Sequence, residues 1–152
     1  IKKMKPLNLL FYPFKMITFA NANLEYYMGK KTIGNKSDVL TNTIIESIKE
    51  HKGKEVISLD LKNIETAVCN FFIICHGTSN THISSIVQNV RKDVSKLLQE
   101  KPWHIEGENN QEWILMDYFD VVVHIFNKEK RDFYKLENLW ADAQIKYIEQ
   151  SA

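Results

Sequence analysis

The residues best placed for chemistry form a glycine–hydroxyl turn, Gly77-Thr78-Ser79, between an apolar run and a helical pattern. Such a turn can bind an anion, because a helix N-terminus presents backbone N–H groups that have no partner within the helix. Metal-dependent phosphoryl transfer would also need clustered carboxylates to hold Mg²⁺. Residues 80–83 are Asn-Thr-His-Ile, so the expected carboxylate pair shortly after the turn is absent, and Asp117 and Asp120 belong to a later strand junction. The pattern therefore favours a capped helix start over a catalytic loop.

Three histidines, His76, His82 and His124, are the obvious candidates for a metal site. They are scattered and lack the short fixed spacing typical of metal ligands. His104-x-Glu106 matches the first half of a deaminase zinc motif, but no P-C-x-x-C follows. We expect no metal ligand, no cofactor and no catalytic residue.

The two cysteines, Cys69 and Cys75, lie beside and inside an apolar run. Two cysteines are too few for a disulfide framework in a chain of this length, and their spacing fits no zinc pattern. We expect both to be reduced, half-buried thiols of a cytoplasmic protein.

The length and the charge of the chain limit the classes of protein to which it can belong. The chain has 152 residues, of which 44% are apolar, enough for one domain with a hydrophobic core. The net charge of +1 hides an asymmetry: residues 1–36 carry seven lysines and one glutamate, whereas residues 37–152 carry 13 basic and 18 acidic residues. An acidic domain disfavours DNA and favours a basic protein partner. The sequence shows no membrane span, and we expect no membrane partner.

Residues 1–36 differ from the rest and are predicted to be an N-terminal extension, disordered or not native, ahead of a domain at 37–145. The extension contains Ala20-Asn21-Ala22, a pattern found in secretory signals, but prolines and a lysine interrupt its apolar stretch. Met28 precedes a polar lead-in. One interpretation is that translation starts at Met28 and that residues 1–27 are dispensable.

The hydrophobic periodicity predicts one α/β domain with a mixed five-stranded sheet flanked by helices. Ser37 is the expected N-cap of the first helix, which ends at Gly53, and the second helix ends before Pro102. The predicted strands are 55–61, 71–75, 103–106, 112–118 and 120–126; the predicted helices follow Ser37, follow the turn at 77–80, and cover 128–140.

The strands at 112–118 and 120–126 are apolar on both faces. Helices covering both faces of the sheet would explain this pattern. The alternative is an exposed patch with aromatic and methionine anchors rimmed by acids, as at protein interfaces. Trp113, Met116 and Tyr118 are the expected anchors. The full set of candidate partner-binding residues is Trp113, Leu115, Met116, Asp117, Tyr118 and Asp120.

Residues 106–140 contain E-W-x-L-x-D-Y-x-D-V-V-V-H-I-F followed by R-x-F-Y-x-L-E-x-L-W. Further ordered motifs are L-D-L at 59–61, A-V-C-N-F-F-I-I-C-x-G-T-S-N-T-H at 67–82 and W-H-I-E-G at 103–107. Together they closely resemble the ribosomal silencing factor family, also called Iojap-like proteins, over most of the chain. One departure is Phe119, where many members have glycine. We expect an extended bend or bulge there, because phenylalanine disfavours positive φ.

The resemblance implies a nucleotidyltransferase-like fold and a function without catalysis. Members bind the large ribosomal subunit through ribosomal protein L-fourteen and block association with the small subunit, repressing translation when nutrients are scarce. The resemblance also points to the strand at 113–118 as the contact region.

Three alternatives stay open. Related organelle proteins assist large-subunit assembly, so the function could be that of an assembly factor. Because the fold resembles that of nucleotidyltransferases, a metal-dependent enzyme is the second alternative. A homodimer of the unbound protein is the third, because an exposed apolar sheet face can pair with itself.

Overall fold

The computed structural model describes residues 34–150, so the predicted extension at 1–36 lies outside the described residues except for its last three. Ten elements follow one another along this part of the chain. The helices are α1 (Gly34–Glu50), α2 (Asn80–Leu98), α3 (Lys128–Tyr134) and α4 (Leu136–Leu139). The strands are β1 (Lys54–Asp60), β2 (Phe71–Gly77), β3 (His104–Glu106), β4 (Trp113–Asp117), β5 (Val121–Asn127) and β6 (Gln144–Tyr147).

The strands form one six-stranded mixed sheet in the order β3-β4-β5-β2-β1-β6. β2 and β5 are parallel neighbours, in register from Phe71↔Val121 to Gly77↔Asn127, and all other pairs are antiparallel. Every residue of β2 is buried, as predicted for a central strand covered on both faces. The α/β class and the mixed sheet are confirmed, with six strands instead of the expected five.

The sixth strand, β6, pairs antiparallel with β1, from Ile57↔Tyr147 to Asp60↔Gln144. Its four residues are mostly exposed and show no hydrophobic run. The pairing with β1 therefore defines this strand, and its local sequence carried no signal for it.

Helices cover both faces of the sheet, which explains why β4 and β5 are apolar on both sides. One face, here called the α1/α2 face, packs Ile44 of α1 and Ile86 of α2 against Ile73, Met116 and Val123. The other, here called the aromatic face, packs α3, α4 and the segment after β1 against the sheet. Its buried residues include Leu59, Phe72, Leu115, Phe126, Leu136 and Trp140.

Helix α2 begins with the predicted cap. Ser79 has extended backbone angles, and its Oγ accepts a hydrogen bond from the N–H of His82 at 3.1 Å. The prediction of a cap at Ser37 is wrong, because α1 already begins at Gly34. Ser37 instead lies buried inside α1, where its Oγ accepts a hydrogen bond from Asn70 Nδ2 at 3.3 Å.

The junction between β4 and β5 differs from the expected extended bend. Phe119 adopts a positive φ of 71°, the conformation that a glycine would favour. The Asp117 carboxylate accepts a hydrogen bond from the Phe119 N–H at 2.8 Å, and the rings of Trp103 and Phe119 meet at 4.4 Å. These contacts offset the strain of a bulky residue at positive φ.

Within residues 34–150, no helix combines the length and the apolar character that crossing a membrane requires.

The turn before β4 depends on Gly107, whose φ is +86° and whose Cβ, if present, would lie 2.0 Å from the carbonyl oxygen of Trp113. We predict that Gly107→Ala lowers the free energy of unfolding by about 2 kcal/mol or more, because strain and a backbone clash add. Urea denaturation measures this. Asn110→Ala, an exposed change in the same turn, is the control and should stay within about 0.5 kcal/mol of wild type. Equal stability of the two variants would contradict the prediction.

Candidate partner-binding surface

Four of the six candidate partner-binding residues are buried. Leu115 and Met116 are 0% exposed, Asp117 is 2% exposed and Tyr118 is 5% exposed. Met116 and Tyr118 point to the α1/α2 face and pack in its core, so the expectation that they are exposed anchors is wrong. The physical reason is that α2 packs over β4 and covers the side chains on this face of the strand. Burial also raises the pKa of the Tyr118 hydroxyl.

Trp113 and Asp120 are the two candidates that remain half-buried. Asp120 lies in the β4–β5 junction, where its backbone carbonyl accepts hydrogen bonds from the N–H groups of Asn70 at 2.8 Å and Phe71 at 3.0 Å. These two backbone hydrogen bonds fix the start of the parallel strand pair. Trp113 lies at the opposite end of β4.

The Trp113 indole is held in one orientation. Its Nε1 donates a hydrogen bond to His124 Nδ1 at 3.1 Å, and its ring stacks on Phe126 with centroids 4.8 Å apart. His124 is fully buried, and burial lowers its pKa to about 3. An indole N–H can only donate, so a neutral imidazole with an accepting Nδ1 completes the contact. The half-exposed part of the indole is therefore preorganised.

Two aromatic residues of α3 extend this surface. The Tyr134 ring lies 5.0 Å from the Trp113 ring, and the Phe133 ring lies 5.1 Å from Tyr134 in an edge-to-face contact. Phe133 is 76% exposed, an unusual position for so large an apolar side chain. We call Trp113, Phe133 and Tyr134 the aromatic rim. Sequence reasoning missed the two α3 residues, although R-x-F-Y was visible as an aromatic pair in an otherwise charged helical turn.

Helix α3 is held against the sheet at its start and at its central residue, Arg131. Asn127 caps its start, with Oδ1 accepting from the Lys130 N–H at 2.8 Å. Arg131 is 5% exposed, and its Nη1 donates to the carbonyl of Lys54 at 3.2 Å and contacts His76 Nδ1 at 3.1 Å. Because this guanidinium is always charged and can only donate, it requires an accepting, neutral His76. Burial and the Arg131 charge both lower the pKa of His76.

Exposed ion pairs border the aromatic rim. Lys130 Nζ lies 3.6 Å from a Glu112 carboxylate oxygen, and Lys128 Nζ lies 3.0 Å from Asp132 and 3.5 Å from Glu55. Such pairs contribute little to stability, about 1 kcal/mol or less each. Glu112, Asp132 and Glu55 can therefore leave their lysine partners and pair with a basic group of another molecule at a small cost in free energy.

The glycine–hydroxyl turn is occupied by its own helix. Thr78 donates its N–H to His82 Nδ1 at 3.0 Å, and its Oγ1 lies 3.1 Å from the same nitrogen. A Cβ on Gly77 would lie 2.7 Å from Ile83 Cγ1 and 3.1 Å from the Ile83 backbone nitrogen. The glycine thus lets the first turn of α2 approach the strand closely, which is a packing role.

The three histidines considered as metal ligands do not share a site. His76 contacts Arg131, His82 bonds Thr78 and the carbonyl of His51, and His124 bonds Trp113. Among residues 34–150 they form no common ligand group.

The cysteines are structural. Cys69 and Cys75 are both buried, reduced thiols, more deeply buried than expected. Burial raises the pKa of Cys75 to about 12, so this thiol stays protonated and unreactive at neutral pH.

The buried His124 makes folding depend on pH. Its pKa is about 3 in the folded protein and 6.5 in the unfolded chain. The contribution of His124 to the free energy of unfolding is therefore fully present above about pH 6.5. It is lost as the pH falls towards 3, at up to about 1.4 kcal/mol per pH unit, because the unfolded chain binds a proton that the folded protein does not. We predict that His124→Gln flattens the slope of unfolding free energy between pH 6.5 and 4, measured by urea denaturation at several pH values. A slope unchanged from wild type would contradict this assignment, whereas His76 accounts for a remaining slope of the same sign.

Comparison with known proteins places this geometry in a family. The family model described as "Ribosomal silencing factor during starvation" matches residues 35–152. Ribosomal silencing factor RsfS of Halalkalibacterium halodurans is 36% identical over 107 residues, which cover 68% of this chain and 87% of that protein. The mouse protein "Mitochondrial assembly of ribosomal large subunit protein 1" is 26% identical over 110 residues, covering 71% of this chain and 47% of the mouse protein.

A solved structure agrees with these sequence matches. The crystal structure of a Chromobacterium violaceum protein superposes with a TM-score of 0.65 at 27% identity, covering 75% of this chain and 94% of that one. The family model covers all six strands and extends over β4, α3 and the aromatic rim. The chain therefore belongs to the ribosomal silencing factor family.

Proposed function

We propose that this protein binds the large ribosomal subunit through ribosomal protein L-fourteen and sterically blocks association with the small subunit, repressing translation under nutrient limitation. The observation that carries the proposal is the aromatic rim. Trp113 is fixed by His124 and Phe126, and Phe133 beside it is largely exposed. Family membership supplies the class of partner, and the proposal includes a cytoplasmic location beside that partner.

The rim has the physical properties of an interface anchor. Tryptophan and tyrosine dominate the binding energy of many interfaces, especially where their orientation is set before binding. Here Trp113 loses little conformational entropy on binding, because its hydrogen bond and ring contacts already exist in the unbound protein. Acidic residues Glu112 and Asp132 flank the rim and favour a basic protein surface.

The six residues chosen from the sequence divide into two roles in this proposal. Trp113 and Asp120 contact the partner, extended by Phe133 and Tyr134. The other four, which are buried, hold β4 and its junction in place. They are Leu115, Met116, Asp117 and Tyr118.

The proposed mechanism is occupancy of a surface, without catalysis. A standard interface buries roughly 1,600 Å² in total, and a domain docked over that area on the large subunit excludes a small subunit that needs the same face. The Gly77–Ser79 turn is filled by the capping contacts of α2, which supports a structural role over phosphate binding.

An assembly role is the second candidate, because a mouse relative is named for large-subunit assembly. Subunit profiles of depleted cells distinguish the two: assembly factors are needed during growth, silencing factors in stationary phase.

We predict that the full chain co-sediments with purified large subunits and lowers the yield of joined ribosomes when small subunits are added. Order of addition is the sharpest control, since a steric blocker acts best when it is added before the small subunit. Co-sedimentation without any effect on joining would contradict silencing and favour the assembly role. The absence of co-sedimentation would contradict both.

We predict that Phe133→Ala weakens binding to large subunits about tenfold, equal to about 1.4 kcal/mol. The side chain is 76% exposed, so its removal should leave folding unchanged. Tyr147→Ala is the matched control, because Tyr147 is also 76% exposed but lies on β6, at the far edge of the sheet. Trp113→Ala should cost about 2 kcal/mol or more of binding, together with some stability from the lost bond to His124. Equal binding by the Phe133 and Tyr147 variants would contradict the assignment of the rim.

A further inference from the structure

A second group of polar side chains lies where α1 ends against α2. Glu50 is the last residue of α1, His51 follows it, and Asp93 faces them from α2. One ligand atom from each residue lies within 4.8 Å of the other two, the one such group of three among residues 34–150. His51 Nε2 and Asp93 Oδ2 are 3.5 Å apart. Sequence reasoning missed this group because Asp93 is distant in the chain from its two partners.

The separation of these atoms fits a shared metal ion. Zinc binds nitrogen and carboxylate oxygen at about 2.0–2.2 Å, and tetrahedral angles then place neighbouring ligand atoms about 3.3–3.6 Å apart. The 3.5 Å between His51 Nε2 and Asp93 Oδ2 falls in that range. A Glu50 carboxylate oxygen lies within 4.8 Å of both atoms, and the exposure of this residue leaves a fourth position open to water.

The surroundings hold two of the three ligands in place and favour a cation. Ser47 donates its hydroxyl to Asp93 Oδ2 at 2.6 Å, which orients the carboxylate as outer contacts do at metal sites. His82 Nε2 lies 2.8 Å from the His51 carbonyl and donates to it, since His82 Nδ1 accepts from Thr78. The C-terminus of a helix carries partial negative charge, so the end of α1 adds a favourable potential for a cation.

We propose that Glu50, His51 and Asp93 form a binding site for one divalent transition-metal ion, with Zn²⁺ the best match, that links the end of α1 to α2. One imidazole selects for Zn²⁺ and its neighbours over Mg²⁺ or Ca²⁺, which prefer oxygen ligands alone. The site lies on the α1/α2 side of the sheet and the aromatic rim on the other side, so it is independent of the proposed ribosome contact. In the absence of metal, His51 Nε2 and Asp93 Oδ2 contact each other directly.

Isothermal titration of the full chain with ZnCl₂ tests the site, with thermal unfolding in the presence and absence of Zn²⁺ as the second readout. We expect one equivalent to bind and the unfolding temperature to rise. The double variant His51→Ala/Asp93→Asn should bind at least tenfold more weakly and lose the zinc-dependent rise. Glu50→Gln, an exposed change that leaves packing intact, should also weaken binding and keeps the test valid if the double variant fails to fold.

His104→Ala is the matched control. His104 Nε2 lies 2.7 Å from Glu106 Oε1, a histidine–carboxylate pair of the same kind. Within residues 34–150, no third ligand lies close enough to this pair to share an ion. This variant should bind Zn²⁺ like wild type. The proposal is overturned if the wild-type chain shows no saturable binding, if Glu50→Gln binds unchanged, or if the loss appears in His104→Ala instead.

Discussion

The parallel pairing of β2 with β5 is the contact on which the rest of the structure depends. Parallel neighbours cannot be joined by a tight turn, so the chain must leave β2, cross one face of the sheet and return. Here α2 makes that crossing, and β3 and β4 follow before β5 closes the pair. Two central strands, apolar on both sides, then require cover on both faces. One face is covered by the long helices α1 and α2, and the other is covered in part by the short helices α3 and α4.

The unequal cover explains why Trp113 and Tyr134 lie partly exposed at the border of the aromatic face. A seven-residue helix is about 10 Å long, too short to cover the whole width of the sheet. Phe126 and Phe72 under the centre are 0% and 1% exposed, whereas Trp113 at the border of the cover is half-buried. Ring contacts extend from the buried His124 and Phe126 outward to Trp113 and Tyr134. The aromatic rim is thus the outer border of a hydrophobic core.

How much of this could be predicted from the sequence depends on the range of the contacts involved. The run F-F-I-I-C predicted a buried central strand, and the spacing of Ile83, Ile86, Val87 and Val90 predicted α2, because both signals are local. β6 was missed because its pairing with β1 joins residues far apart in the chain. Met116 and Tyr118 were misplaced for the same reason: the strand pattern showed two apolar faces but not which helices lie over them. Phe119 adopts a positive φ against its own propensity, since contacts from Asp117 and Trp103 offset the strain.

Burying a neutral histidine under the sheet has a cost that apolar packing alone would avoid. A leucine in place of His124 would bury well but could not accept a hydrogen bond from the Trp113 indole. The indole N–H would then have no acceptor there, and the orientation of the Trp113 ring would not be fixed by a hydrogen bond. The hydrogen bond of 3.1 Å fixes the indole plane against Phe126 and so decides which part of the ring faces outward. A protein that acts by occupying a surface gains from this, because each side chain ordered before binding spares entropy during binding. The pKa of His124 is low because the imidazole is buried where it can orient Trp113. The acid sensitivity of the fold therefore follows from the same contact that fixes the proposed binding surface.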